Sequence, residues 1–219
     1  MEGTQVRATR QVTTCQIGKR QKDGSRCRNR PSRVLAGESP VIWESSYRKE
    51  DLGRLADKLK ARKVQKKFPA RSLACLEKEI FIGCYIIRKL MDGKKLSDTV
   101  ASLKFPVRFH SSIGRNPTWL TWNQDLDRSY DFKNVHTEPM SLPYLCNQLI
   151  HSFIFVPLFG RHGTLRGIFF NSDLTKSRKL YYLSISTLEK IFRKVATNYP
   201  WQSQISFDPF KQDYSITQE

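Results

Sequence analysis

The sequence predicts an α+β fold of about four main helices packed against a small antiparallel sheet. Apolar residues recur every three or four positions before residue 92, and short apolar runs separated by turn residues follow between 153 and 183. Helical spacing then returns after residue 185. Helices and strands have these two distinct periods, and strands joined by short turns pair antiparallel. A length of 219 residues suits one substantial core rather than two full domains.

Two long helices open the predicted domain. The first is capped by Ser45 or Ser46 and runs to about Val64, with apolar residues at spacings of three and four. The second runs from about Ser72 to Met91 and has the broadest apolar stripe of the chain, which places it in the core. That stripe comprises Leu73, Leu76, Ile80, Phe81, Cys84, Ile87, Leu90 and Met91.

A strand over residues 105–111 and an irregular segment over 113–138 follow. The segment is rich in aromatic residues, and its tryptophans, Trp119 and Trp122, are expected to pack in the core rather than to stack on nucleic-acid bases. A third helix is predicted over residues 139–152, where the prolines are tolerated only in the first turn.

The last part of the chain predicts a hairpin, a further strand, a helix and a terminal hairpin. Residues 153–159 and 164–171 pair about a turn at 160–163, and residues 179–183 form the next strand. Ser186 and Glu189 are predicted to form the capping box of the fourth helix. The terminal hairpin pairs residues 204–207 with 214–216.

The charge is strongly positive and concentrated at the front of the chain. The net charge is +18, and residues 1–69 hold 18 Lys and Arg against 7 Asp and Glu. Residues 1–40 have too few apolar residues to fold, which predicts a disordered basic tail followed by a single domain over 41–219. Such a tail is either a soluble appendage or a contributor to RNA or other nucleic-acid binding.

The cysteines and the hydropathy of the chain indicate the cellular compartment and the cofactors to expect. Five cysteines at irregular spacing, without a secretory signal pattern, predict a cytoplasmic protein. Cys15 and Cys27 stand alone in the basic tail, so no zinc site is expected. We expect no metal and no cofactor. The chain has no apolar run of the length that spans a bilayer, so no membrane partner is expected.

The segment from Leu145 to Phe153 carries the main candidate site. Asn147 and His151 are four residues apart on a short apolar helix and therefore share one face. They are the candidate catalytic pair. A binding role and a purely structural role are the alternatives. We favour the structural role, because a His at a helix end interacts favourably with the helix dipole and an Asn there bonds the backbone.

This segment resembles the signature of the HEPN family, in which an Arg and a polar residue precede a His near the end of a helix. The resemblance implies a small helical, commonly dimeric protein related to RNA-cleaving toxins, anti-phage effectors and noncatalytic relatives. It also implies that the second helix packs against the motif helix. Cys146 stands where the family has its Arg, and a neutral thiol cannot stabilise charge developing on phosphate.

Three functions therefore remain open. The leading hypothesis is a noncatalytic HEPN-like module that associates with nucleic acid or protein, with Arg88, Lys89 and Arg108 as binding residues. The second is a metal-independent endoribonuclease that uses His151 with Asn147 and a distant Arg. The third is a small-ligand-binding domain with a pocket between the helices and the sheet.

Overall fold

The computed structural model describes residues 43–121, 126–210 and 212–219. Within these ranges the chain forms five α-helices, a five-stranded antiparallel sheet and a separate two-stranded antiparallel sheet. The predicted α+β class is therefore confirmed. The predicted tail, residues 1–40, lies outside the described residues, as do Trp122 and the cysteines of the tail.

The predicted helices are observed with modest changes at their ends. The five helices are α1 (Trp43–Arg62), α2 (Ala70–Asp92), α3 (Asp98–Ala101), α4 (Leu142–Ile150) and α5 (Ile185–Ala196). The predicted capping box of α5 is wrong by two residues, because the hydroxyl of Ser184 accepts the Thr187 N–H at 3.0 Å. Glu189 instead pairs with Lys63, the residue after α1, so it links α5 to the end of α1 rather than capping its own helix.

The sheet contains one strand that the sequence analysis missed. The strands are β1 (Lys104–Ser111), β2 (His136–Ser141), β3 (Ser152–Phe159), β4 (Leu165–Ser172), β5 (Lys179–Ser184), β6 (Ser203–Asp208) and β7 (Asp213–Gln218). Their order in the large sheet is β2-β1-β5-β4-β3, and β6 pairs with β7 as the predicted terminal hairpin. The predicted third helix is observed as α4, but its predicted start at residue 139 is wrong by three residues, since Pro139 lies in β2. An edge strand tolerates proline because its outer side lacks a pairing partner.

The helices pack on one face of the large sheet. Val107, Phe170 and Tyr181 alternate with outward-facing neighbours and lie in the same buried cluster as the apolar stripes of the helices. Helices α4 and α5 contact the strands directly, and α1 and α2 pack onto them. One face of the sheet therefore carries the helices, which leaves the opposite face to the segment between β1 and β2 and to solvent.

Helices α2 and α5 approach closely at a glycine. A Cβ added at Gly83 would lie 2.2 Å from Cζ of Phe192, which is fully buried. The missing side chain therefore makes room for an aromatic ring at the centre of the core. This is why an otherwise continuous apolar helix contains a residue with poor helix propensity.

We expect Gly83→Ala to destabilise the protein by about 1–3 kcal/mol, because overpacking against Phe192 outweighs the gain in helix propensity. The matched control is Gly53→Ala on α1, where the nearest atom to an added Cβ, in Ala196, lies at 3.9 Å. That change should stabilise the protein by roughly 0.5–1 kcal/mol. Urea unfolding measures both, and equal effects of the two substitutions would contradict the close approach.

A buried lysine ties α1 to the connection after α2. Lys49 is 2 % exposed, its ammonium donates to the Lys95 carbonyl at 2.8 Å, and it lies 4.2 Å from the ring centre of Tyr199. Burial, with a smaller contribution from the charge of Lys95, lowers the pKa of Lys49 to about 8. The folded protein therefore releases this proton at a lower pH than the unfolded chain does.

This shift predicts a pH-dependent stability. Between pH 8 and 10 the unfolded chain binds the Lys49 proton more strongly than the folded protein, so the free energy of unfolding should gain a positive contribution as pH rises. Lys49→Met should remove that contribution. Urea unfolding of both proteins at pH 7.5 and 9.5 tests this, and identical pH dependence in the two would show that the ammonium is not desolvated.

Candidate nucleic-acid interface

Asn147 and His151 lie at the exposed end of α4. His151 follows the last helical residue, and its backbone N–H donates to the Asn147 carbonyl at 3.0 Å. Both side chains are exposed. Among the described residues, neither side chain makes a hydrogen bond or an ion pair. The pair thus lies on a solvent-facing helix end, where no hydrogen bond from another described residue fixes the orientation of either side chain.

The two residues beside Asn147 are buried. Cys146 packs against Cys84 of α2, and the hydrogen bond between the thiols, together with burial, raises the pKa of Cys84. The position at which the HEPN signature has its Arg is therefore part of the core. Gln148, which the sequence analysis did not single out, accepts from the Ser172 N–H at 3.0 Å and from the Thr175 hydroxyl at 2.8 Å. It fastens α4 to the turn between β4 and β5.

Arg88 and Lys89, the predicted binding residues of α2, interact along their own helix. The Arg88 guanidinium lies 3.6 Å from the Asp92 carboxylate, and the Lys89 ammonium lies 3.9 Å from it. Lys89 is also 5.7 Å from the ring centre of Tyr85. Both cations are partly exposed, and Asp92 offsets part of their charge. They therefore offer a weaker contact for a polyanion than an unpaired cation does.

Arg108, the third predicted binding residue, lies on the sheet face opposite the helices. Its guanidinium is 4.4 Å from the ring centre of Tyr182, its direct neighbour on β5. Phe169 of β4 is the next residue in the same row, with its ring centre 5.4 Å from that of Tyr182. We call Arg108, Tyr182, Phe169 and the adjoining Phe132 the open sheet face.

A glycine sets the orientation of the central ring. A Cβ added at Gly167 would lie 2.6 Å from Cε2 of Tyr182, so the absence of a side chain lets this ring lie along the sheet. Phe132 borders Phe169 with ring centres 5.6 Å apart and is 38 % exposed. The result is a shallow row of half-buried aromatic rings with an exposed guanidinium beside it. Such surfaces stack with planar ligands.

The other half of the same face is closed. Tyr130, from the segment between β1 and β2, is 1 % exposed and packs with Ile154 and Leu180. Its hydroxyl donates to the Lys176 carbonyl at 2.6 Å and accepts from Asn171 at 2.8 Å. Burial raises the pKa of Tyr130 to about 12, although the Asn171 hydrogen bond acts in the opposite direction. These two buried hydrogen bonds keep Tyr130 packed against the sheet, so this half of the face is covered.

Trp119 departs from its predicted core position. It is 80 % exposed, and its ring centre lies 5.3 Å from that of Phe153, which packs against the cluster of Tyr130, Ile154 and Leu180. The ammonium of Lys176 lies 3.9 Å from the same Phe153 ring. A second exposed aromatic group with a neighbouring cation therefore lies beyond the closed half.

His110 and His136 have different partners in the structure. His110 is buried, with Nδ1 3.0 Å from the Asp131 carbonyl, and His136 stacks on Phe109 at 5.2 Å. In residues 43–121, 126–210 and 212–219, no group of three His, Cys, Asp or Glu side chains is arranged to hold a metal ion.

Tyr182 and Phe169 were not recognised as site residues from the sequence. Their strands were predicted, but their position beside Arg108 depends on the register of β1 with β5 and of β5 with β4. The only local signal is the alternation of side chains within Lys179–Ser184. It places the side chain of Tyr182 on the sheet face opposite to that of the core residues Tyr181 and Leu183.

Comparison with known proteins identifies no relative. No family model matches the chain, and no curated protein or solved structure matches it significantly. The HEPN resemblance therefore depends on residues 145–153 alone and stays a prediction. No helix within the described ranges combines the length and apolar character that a membrane span needs.

The neighbours Asn147 and Gln148 should differ sharply under substitution. Gln148→Ala should cost about 1–3 kcal/mol of stability, because it removes a buried acceptor and leaves the Ser172 N–H and the Thr175 hydroxyl only the hydrogen bonds between these two residues. Asn147→Ala, at an exposed side chain, should change stability by less than about 0.5 kcal/mol. Thermal and urea unfolding measure both, and a larger loss for Asn147→Ala would contradict this account of α4.

Proposed function

We propose that this protein binds single-stranded nucleic acid on the open sheet face. The observation that carries the proposal is the stacking of the Arg108 guanidinium on Tyr182, beside Phe169 and away from the helices. Aromatic rings and guanidinium planes are the groups on which unpaired bases stack, and each stacked base contributes about 1–3 kcal/mol.

The charge of the chain supports a polyanionic partner. The net charge is +18, and the part of the chain before residue 70 carries most of the excess. Within the described residues, neither Arg108 nor the nearby Arg166 forms an ion pair with a carboxylate. Unpaired cations beside aromatic rings favour phosphate groups, and the basic front end adds nonspecific, salt-dependent affinity.

The geometry favours single strands over duplexes. The rings lie half-buried within the plane of a sheet, where they can contact the face of an unpaired base but cannot read the edges of stacked pairs. Reading base edges in a duplex requires an element that enters a groove. The open sheet face is shallow and has no such element, so it can contact only bases that are already unpaired.

A noncatalytic role in a reducing compartment such as the cytoplasm completes the proposal. Cys84 and Cys146 are free thiols in the core, in keeping with a reducing environment. Asn147 and His151 make no side-chain hydrogen bond within the described residues, which is why we favour binding over RNA cleavage. A HEPN-like dimer remains the prediction of the motif alone.

Fluorescence anisotropy with labelled RNA and DNA oligonucleotides of one length, single-stranded and duplex, tests the proposal at several salt concentrations. Tyr182→Leu should weaken single-strand binding about tenfold or more, because a stacking platform is lost. Arg108→Gln should weaken it as well and reduce the salt dependence. The affinities for RNA and DNA probes of the same length show which of the two nucleic acids the protein prefers.

The matched control is Lys190→Gln, which removes an exposed cation from α5 on the helix side of the sheet. It should leave single-strand affinity within about twofold at moderate salt. Each variant should retain the thermal midpoint of the parent protein. If Tyr182→Leu and Arg108→Gln bind like Lys190→Gln, the open sheet face is not the binding surface. Deletion of residues 1–40 should lower the salt dependence while preserving the single-strand preference.

A further inference from the structure

A depression of about 400 Å³ adjoins Tyr182 at the end of the open sheet face. It lies where β4 begins and α5 starts, and it is open to solvent. Its lining is mainly polar, with two cations and three hydroxyl-bearing side chains beside the phenol of Tyr182. The lining residues are Lys63, Thr164, Leu165, Arg166, Tyr182, Ser184 and Ser186.

The two cations of this depression differ in their partners. The ammonium of Lys63 lies 2.6 Å from the Glu189 carboxylate, and this interaction is the main cause of the lowered pKa of Glu189. Arg166 is exposed and makes no ion pair with any carboxylate in the described part of the chain. Arg166 therefore supplies the uncompensated positive charge of the depression.

Arg166 is placed by an irregularity in β4. Gly167 pairs with Leu158 and Leu165 pairs with Phe159, so Arg166 is the extra, unpaired residue of a β-bulge. Its side chain packs against Gly160, where an added Cβ would lie 2.6 Å from Nε of Arg166. A bulge and the space at Gly160 thus place a guanidinium in the lining of the depression that Tyr182 also lines. Bulges commonly redirect a side chain in this way.

We infer that this depression binds one backbone phosphate of the strand whose base stacks on Tyr182, with Arg166 as its charged contact. The inference rests on the proposed function and adds to it the phosphate subsite. The planar guanidinium donates two parallel hydrogen bonds to a phosphate, and the exposed hydroxyl of Ser186 offers a further donor. Tyr182 belongs to both the depression and the aromatic row, so base and phosphate subsites are adjacent.

Neutral-linkage scanning tests this assignment. Single methylphosphonate linkages, which remove one phosphate charge, are placed in turn along a short single-stranded DNA, and its affinity is measured by anisotropy. For the parent protein, we expect a marked loss when the neutral linkage occupies the depression. Arg166→Gln should bind the unmodified strand about tenfold more weakly, with a salt slope lower by about 0.7, and should lose its response to that linkage.

The matched control is Arg161→Gln, which removes an exposed cation from the neighbouring turn outside the depression. It should retain the parent's response to every linkage. If Arg166→Gln behaves like Arg161→Gln while Tyr182→Leu weakens binding, the phosphate subsite is refuted and the proposed function stands. If neither Arg166→Gln nor Tyr182→Leu weakens binding, both are refuted.

A mononucleotide separates a strand phosphate from a free one. Adenosine 5′-monophosphate should compete with the labelled strand only weakly, because it occupies one base and one phosphate subsite without the remaining contacts of a strand. Competition as strong as that of the unlabelled strand, abolished by Arg166→Gln, would identify a free nucleotide as the ligand and overturn the assignment to a strand.

Discussion

Burial of one face of the central sheet under the helices is the constraint on which the rest of the structure depends. Val107, Phe170 and Tyr181 face the helices and form the core with them. Because side chains alternate along a strand, the residues next to these in sequence must face the other way. Arg108 and Tyr182 are two of them. The same packing that stabilises the domain therefore sets a cation and an aromatic ring side by side on the opposite face.

That opposite face is divided along β4. Asn171, at one end of the strand, bonds the hydroxyl of Tyr130, and the buried polar contact holds the covering segment in place. Gly167, at the other end, has no side chain and leaves the ring of Tyr182 lying along the sheet. One strand thus closes half of the face with a hydrogen bond and leaves the other half accessible. Phe169 lies between the two halves, because it packs against the buried cluster of Tyr130, Ile154 and Leu180 and also borders Tyr182.

Helix patterns were predictable here and edge features were not. The apolar stripe of α2 located that helix to within two residues, because burial of a broad stripe dominates its energy. β2 was missed, since Pro139 indicates a helix start as readily as an edge strand, and only the pairing of β2 with β1 distinguishes the two. The choice of Ser184 over Ser186 as the cap of α5 likewise depends on where β5 ends. Asn147 and His151 share a solvent-facing helix end, yet the absence of side-chain partners within the described residues could not be read from their spacing.

The sequence by itself determined the α+β class, the positive charge and the candidacy of Arg108, because periodicity, composition and residue type are local properties. Only the tertiary structure decided what surrounds each candidate. It placed Cys146 in the core, paired Arg88 with Asp92, and set Arg108 against Tyr182, 74 residues away in the chain. The physical reason is that a side chain's partners come from strand register and helix packing, which depend on free energy summed over the whole domain and not on any one segment.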